Sequence, residues 1–378
     1  MGLRDGWVPW AMRAGCFALC ACGGNTSTPT DAGDGAANDA VVGGGDADAS
    51  QSHDAAQTDV ETGSDADAGA VDATDASPIV PLDCDGGLCV LATMRDDPEG
   101  IVVAGGALFW TDYARQTGTG KIMTCSLPDC AGGPRVVADN RTALSLATDG
   151  TYVAWGNATF TGAVEACMAP ACVPTTMAQG NYPFGVAISG GIVYWATGSF
   201  PQIDACSLTG ACQPQMVASL PTFGSNWIAA GGGYVVWDDV GALKTDSCAV
   251  SACDADAGSA TTLGPYGCNY GLFSPIAIDG TDALWQQCGI VERCALSGCG
   301  GNPTAMNQAP ETSAAGFVVQ GGKLFIADGD VLECPSSGCG ASPKVLAANA
   351  GAVAGIAVDA TYVYFTTALG GQVLRVAR

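Results

Sequence analysis

Between Cys84 and Cys339 the chain carries seven cysteine pairs, each with four or five residues between its members. They are Cys84/Cys89, Cys125/Cys130, Cys167/Cys172, Cys206/Cys212, Cys248/Cys253, Cys294/Cys299 and Cys334/Cys339. Thiols so placed support two chemistries, a local disulfide or a thiolate metal site. Structural zinc needs four thiolate or imidazole ligands converging on one point. Residues 84–378 contain no histidine, the only one being His53, and the pairs recur about every forty residues, on separate repeats. Disulfides are therefore expected, each closing a short loop and contributing about 2 kcal/mol on the chain-entropy estimate. Their expected place is the outermost hairpin of each repeat, the part least supported by neighbours. Cys268 and Cys288 fall outside the period and are expected to form an eighth bridge, pinning the loop over 264–275. So many paired cysteines imply an oxidising compartment.

Other reactive constellations are scarce. Without histidine no Ser-His-Asp, Cys-His or imidazole metal arrangement can be built in this region. Glycine is abundant, but no glycine string opens a helix, so a nucleotide cradle is unsupported and no cofactor is expected. Paired carboxylates remain, for instance Asp238 with Asp112 or Asp330, and such pairs can cleave polysaccharides.

The elements that must position these residues follow from the same period. A repeat of about forty residues means one supersecondary unit copied along the chain. Each copy carries an apolar–aromatic run: Leu108-Phe109-Trp110, Val153-Ala154-Trp155, Val193-Tyr194-Trp195, Val235-Val236-Trp237, Ala283-Leu284-Trp285, Leu324-Phe325-Ile326 and Val363-Tyr364-Phe365. Runs rich in β-branched and aromatic residues, bounded by Gly or Asp turns, read as strands. Each unit becomes strand a, a tight turn, strand b with the aromatic, strand c ending at a cysteine, and strand d, which is a propeller blade. The seventh copy ends at Val376 without strand d, whereas residues 89–93 form a strand d with no a, b or c before it. The N-terminal strand is thus expected to complete the last blade and close the ring, removing its exposed edges. The predicted fold is all-β, a propeller of seven blades rather than six or eight, over residues 84–378.

Phe109-Trp110-Thr111-Asp112 resembles the Tyr-Trp-Thr-Asp repeats of low-density-lipoprotein-receptor-type propellers, and the wider pattern is similar to streptogramin-lyase-like propellers. The resemblance implies an extracellular binding propeller and carries over no site residue. Blade 1 alone approaches the four-residue motif, and the receptor propellers have six blades.

The N-terminal parts differ in character. Residues 1–22 read as a lipoprotein-type signal segment, since Leu19-Cys20-Ala21-Cys22 resembles a bacterial lipobox with Cys22 as the lipidated residue. The alternative is an ordinary cleaved signal. Residues 23–83 contain 13 acidic residues, no Lys or Arg and no aromatic. Such a segment cannot bury enough apolar surface to order itself, so a solvated linker spanning on the order of 45 Å is expected. Tail, lipobox and stapled blades together resemble a bacterial surface lipoprotein, which implies the cell envelope, with membrane contact only through the N-terminal lipid. The formal net charge of −24 argues against nucleic acid as a partner. A monomer is expected.

Apart from three in residues 1–22, the aromatics outside the strands all fall in the b–c and d–a connections, which share one face of a propeller. The c–d connections have none. Candidate contacts are Tyr113, Arg115, Tyr182, Trp227, Asp238, Tyr266, Asn269 and Tyr270, within a set that includes Phe160, Phe184, Asn140, Arg141, Asp112 and Gln286. Aromatic anchors dominate protein and glycan recognition, so the leading reading is a tethered binding or scaffold propeller without enzymatic activity. The alternatives are a carboxylate-based polysaccharide hydrolase or lyase and a passive envelope component. Mass spectrometry of a non-reduced digest is expected to show eight bridges, Cys268–Cys288 among them, and no free thiol beyond Cys22. A free thiol at any other site after Cys84 would contradict the framework.

Overall fold

The computed structural model describes residues 83–85, 87–93, 96–114, 117–198, 201–220, 227–253, 259–266, 275–287, 289–307, 316–340, 342–367 and 370–378. They form seven antiparallel sheets and, among the described residues, no α-helix. Blade 1 comprises Asp97–Ala104, Ala107–Ala114, Thr119–Ser126 and Arg135–Arg141. Blades 2 to 6 repeat that meander, beginning at Ala147, Pro183, Ile228, Ile276 and Gly316. In blades 1, 3, 4 and 6 the a–b turn is a Gly-Gly pair (Gly105-Gly106 in blade 1) with positive φ at both residues. That backbone matches the twist of a two-residue hairpin, and a Cβ would oppose it.

Blade 7 contains Val353–Val358, Tyr362–Thr367 and Gln372–Ala377, and its fourth strand is Leu88–Thr93 from the N-terminal side. Leu88 pairs with Val376 and Thr93 with Gln372, so the ring closes as expected. A fifth strand, Asp83–Asp85, lies outside it, with Cys84 directly opposite Cys89. The first cysteine pair therefore staples an added edge hairpin, whereas the other six lie at c–d turns. Further ties cross the closure: Thr366 Oγ1 donates to Glu99 O at 2.7 Å, and the Arg375 guanidinium donates to Pro128 O while lying 4.4 Å from the Tyr362 ring centre.

The core is not central but divided among seven apolar clusters, one at each blade–blade boundary. Strand side chains alternate faces, and in strand b both faces are buried. Trp155 and Val153 pack toward blade 1, and Ala154 between them packs toward blade 3. Trp195, Trp237, Trp285, Ile326 and Phe365 likewise point to the preceding blade, and Trp110 points to blade 7.

Register also places the cysteines. Cys125, Cys167, Cys206, Cys248, Cys294 and Cys334 stand directly opposite Leu108, Val153, Val193, Val235, Ala283 and Leu324 on strand b. Each shares a face with the aromatic or apolar residue two positions further along strand b and is buried against the preceding blade. The bridges run as expected: Cys125–Cys130, Cys167–Cys172, Cys206–Cys212, Cys248–Cys253, Cys294–Cys299 and Cys334–Cys339.

Their surroundings correct the expectation of clasps on poorly supported outer hairpins. Cys130 and Cys172 are buried, and they belong to the clusters at the 7–1 and 1–2 boundaries. Cys212, Cys253, Cys299 and Cys339 are half-buried and pack against the clusters of the 2–3, 3–4, 4–5 and 5–6 boundaries. The second cysteine of each pair thus joins an inter-blade core, because the c–d turn folds back over the preceding blade. Backbone bonds fix that return: Cys130 N donates to Ser126 O, Cys172 N to Met168 O and Cys253 N to Ala249 O, at 2.8–2.9 Å. Cys268 and Cys288 lie outside the described residues, as do Cys22 and residues 23–82 of the linker.

Leu91, on the closing strand, is buried with Trp110 and Tyr364 at the boundary of blades 7 and 1. Leu91→Ala is expected to cost about 2–5 kcal/mol in denaturant unfolding. Val136→Ala, on an exposed outer strand, should change stability by about 0.5 kcal/mol or less. Equal losses for the two would mean that the N-terminal strand is not integral to the ring.

Candidate binding face

The b–c and d–a connections share one face. Their best-formed feature joins blades 2 and 3. Phe160 comes from the b–c connection of blade 2, Tyr182 from the d–a connection, and Phe184 from the start of strand Pro183–Ser189. The rings of Phe160 and Tyr182 meet edge-on at 5.9 Å, and those of Tyr182 and Phe184 stack at 6.3 Å. Phe160 is 63% exposed and Tyr182 37% exposed.

Backbone bonds hold these loops together. Asn181 N donates to Phe160 O at 3.2 Å and Gly180 N to Gly162 O at 2.6 Å. Gly198 N is shared between Asn181 O and Tyr182 O, each at 3.0 Å. Asn181 and Tyr182 both have positive φ, at 66° and 49°. Two successive non-glycine residues in the left-handed region carry a steric cost, which the surrounding bonds offset. A Cβ on Gly198 would come within 2.6 Å of the Phe184 ring, so only glycine there leaves Phe184 in its stacked position.

The remaining candidates are dispersed. Tyr113 is half-buried at the end of strand b of blade 1, paired with Asp97 and Gly120. Trp227 is half-buried before blade 4, and its N–H donates to Asp238 Oδ1 at 2.7 Å. Asp238 itself is fully buried, so it organises the chain entering blade 4 instead of presenting a carboxylate to solvent. Tyr266 is only 3% exposed; its N–H donates to Leu243 O at 2.9 Å, and the ring belongs to the protein interior. Loop membership alone does not reveal either placement: Asp238 lies on strand b, Tyr234–Asp239, where both faces are buried, and Tyr266 directly follows strand d, Thr261–Pro265. Arg115, Asn269 and Tyr270 lie outside the described residues.

Several polar candidates prove to be internal. Arg141 of blade 1 grips Glu165 of blade 2 through two bonds, Nε to Oε2 at 2.5 Å and Nη2 to Oε1 at 2.8 Å. Trp155 Nε1 and Asn157 Nδ2 also donate to Glu165, at 2.8 and 2.9 Å. Sequence reading missed the rule behind this. In blades 2 to 5 the strand-c residue opposite the tryptophan is acidic: Glu165, Asp204, Asp246 and Glu292. The signal was present, since each acid lies two residues before the first cysteine of its pair (Glu165 and Cys167, Asp204 and Cys206). Burial pushes the Asp204 and Glu292 carboxyls above their ordinary range, and the Gln202 side-chain amide, donating to Asp204 at 2.8 Å, opposes that shift. Gln286 is buried as well, and Asp330 accepts the Asn349 N–H at 2.7 Å.

Asp112, in blade 1, is a strongly perturbed carboxyl. Burial, and next the charge of Asp96, raise it from 3.8 to about 6; Lys121 opposes and Asp97 adds. Its side chain is buried.

The fold and this face define the class: a disulfide-stapled seven-bladed β-propeller with exposed aromatics on its b–c and d–a side. No known family model and no curated protein matches the chain. Solved structures do. Virginiamycin B lyase from Staphylococcus aureus, in a catalytically inactive histidine-to-alanine variant with quinupristin, is similar over 76% of this chain and 97% of its own, with TM-score 0.58 and 13% identity. A chain of Kuenenia stuttgartiensis hydrazine synthase matches over 76% and 97%, with TM-score 0.58 and 14% identity. A chain of the mitotic checkpoint complex matches over 80% and 99%, with TM-score 0.56 and 11% identity. At such identities the likeness is one of fold alone.

The raised Asp112 carboxyl fixes a sign. The folded state holds its proton more tightly than the unfolded chain, so its contribution to stability is full below about pH 4 and is lost as pH rises through about 6. Asp112→Asn is expected to be more stable than the parent at pH 7, with the difference shrinking toward pH 4, as read from melting temperatures across that range. A constant difference would show that Asp112 does not titrate in that window.

Proposed function

We propose that this chain is an extracytoplasmic binding propeller that recognises a protein or glycan through the face made by its b–c and d–a connections. The observation that carries this reading is the exposed Phe160–Tyr182–Phe184 cluster. Exposed rings in mutual contact form a preordered apolar surface, and holding them in place beforehand lowers the entropy cost of binding. The opposite face has no aromatic in its c–d turns. Seven disulfides support an oxidising, extracytoplasmic setting. The lipobox-like Leu19-Cys20-Ala21-Cys22 supports tethering at the bacterial envelope through Cys22, with the acidic segment as spacer.

Binding is favoured over catalysis by the state of the carboxylates. Asp238 is buried and, like Asp330, accepts a backbone N–H, which counts against either serving as an acid–base partner of Asp112. The histidine-dependent chemistry of the lyase neighbour has no counterpart in a propeller whose chain places its single histidine at His53.

The test is to probe the oxidised full chain against a glycan array and a panel of secreted proteins. Capture of at least one ligand is expected, lost in the Phe160→Ala/Tyr182→Ala double variant and retained in Val173→Ala. Val173 is 78% exposed and lies on the c–d side, so a ligand lost only with Val173→Ala would assign binding to the wrong face.

A further inference from the structure

Resting on the binding reading above, we infer that the platform on blades 2 and 3 is a subsite for neutral carbohydrate. Charge is the first ground. The chain carries a formal net charge of −24, yet no charged residue occurs between Glu165 and Asp204, nor between Asp149 and Glu165. Glu165 is itself buried and bound by Arg141. The segments that build the platform therefore present no charge of their own, in a strongly acidic protein.

What the platform does present is specific in kind. Phe160 and Tyr182 expose ring surface, and Tyr182 adds a phenol. Thr161 and Gln179, both exposed, and the half-buried Asn181 supply hydroxyl and amide groups beside them. A neutral sugar offers an apolar C–H face to stack on a ring, with hydroxyls around its edge for neutral donors and acceptors. Anionic polymers call for Arg or Lys; the platform's own segments carry none, and Arg141, which reaches in from blade 1, is already paired with Glu165. An acidic protein partner would be repelled by the molecule as a whole, and a basic one would be drawn to its charged sectors instead.

The geometry is also that of a prepared surface. Tyr182 is held in the left-handed region at φ 49° next to Asn181 at φ 66°. Loop bonds from both flanking connections fix that strained corner. The stacking of Tyr182 on Phe184 leaves Phe160 and Tyr182 as the outward rings. Strain of this kind clusters at ligand clamps and binding sites.

Isothermal titration of the oxidised full chain tests this with cellohexaose, xylohexaose, mannohexaose and chitohexaose as neutral probes, and oligogalacturonate and a sulfated oligosaccharide as anionic ones. At least one neutral probe is expected to bind, with affinity unchanged between about 50 and about 500 mM NaCl because no ion pair is involved. Phe160→Ala and Tyr182→Ala should each weaken it about tenfold, the scale of one lost ring contact. Tyr182→Phe, which keeps the stack, should bind within about threefold of the parent and guards against a folding artefact. Binding of anionic probes alone, absence of binding to every neutral probe, or unchanged affinity in Tyr182→Ala would overturn the inference. A protein ligand lost in the double variant while no sugar binds would overturn it too, yet leave the binding reading standing. Failure of both would show as no ligand of any class on this face.

Discussion

Everything in this molecule depends on the two-sided burial of the second strand of each blade. In a sheet with one wet face, alternate residues would be polar. Here Phe109 packs toward blade 2 while Leu108 and Trp110 pack toward blade 7, and the other blades repeat the arrangement. A blade alone would leave both faces in water, so no blade can hold its structure without two neighbours. Seven boundaries must all be filled, and the seventh is filled only because Leu88–Thr93 supplies Leu91 and Ala92 beside Ile101 and Trp110. Ring closure and core formation are thus the same event.

The polar groups obey that constraint. Acids opposite the tryptophans of blades 2 to 5 sit in otherwise apolar boundaries, where an unpaired charge would be costly. Glu165 is fully engaged, with Arg141 reaching from the neighbouring blade and Trp155 and Asn157 from its own. Asp246 is held by Lys244 at 2.8 Å and by the Thr262 hydroxyl at 2.8 Å. Blades 1, 6 and 7 place Met123, Leu332 and Leu374 at the same register. Glu165 thereby ties blade 2 to blade 1, whereas Asp246 and Asp204 take their partners from their own blades. The disulfides act at the same boundaries. The first cysteine of each c–d pair is buried against the preceding blade, and the second brings the turn onto the same cluster.

The connections lie outside that constraint. The face carrying the b–c and d–a loops is uneven: it holds a buried, raised carboxyl in blade 1 and an uncharged aromatic platform across blades 2 and 3. The platform rests on a rigid base because the strands beneath it belong to two inter-blade cores. Phe160 and Tyr182 can remain exposed without harm to the fold because Trp155, Tyr194 and Trp195 already complete the packing below them.

The repeat, the aromatic on strand b, the missing last strand and the pairing of neighbouring cysteines were all legible from residue types and spacing. These are local or periodic properties, and a forty-residue period with apolar alternation admits few packings. The orphan strand at residues 89–93 could be matched to its distant partner because an open edge is unfavourable. Which loop residues face water could not be read in that way. Asp238, near the end of a strand b, and Tyr266, just after a strand d, border connections as Tyr182 does, yet the first two are buried and the third exposed. Nor could the chain order reveal that Arg141 would serve Glu165, that Cys84 would sit on an added edge strand, or that Cys130 and Cys172 would be core residues. Spacing along the chain determined the units and their number, because each unit's hydrogen bonds are local. Exposure, charge pairing and the aromatic platform were decided only when blades met, because each depends on atoms contributed by a neighbouring unit.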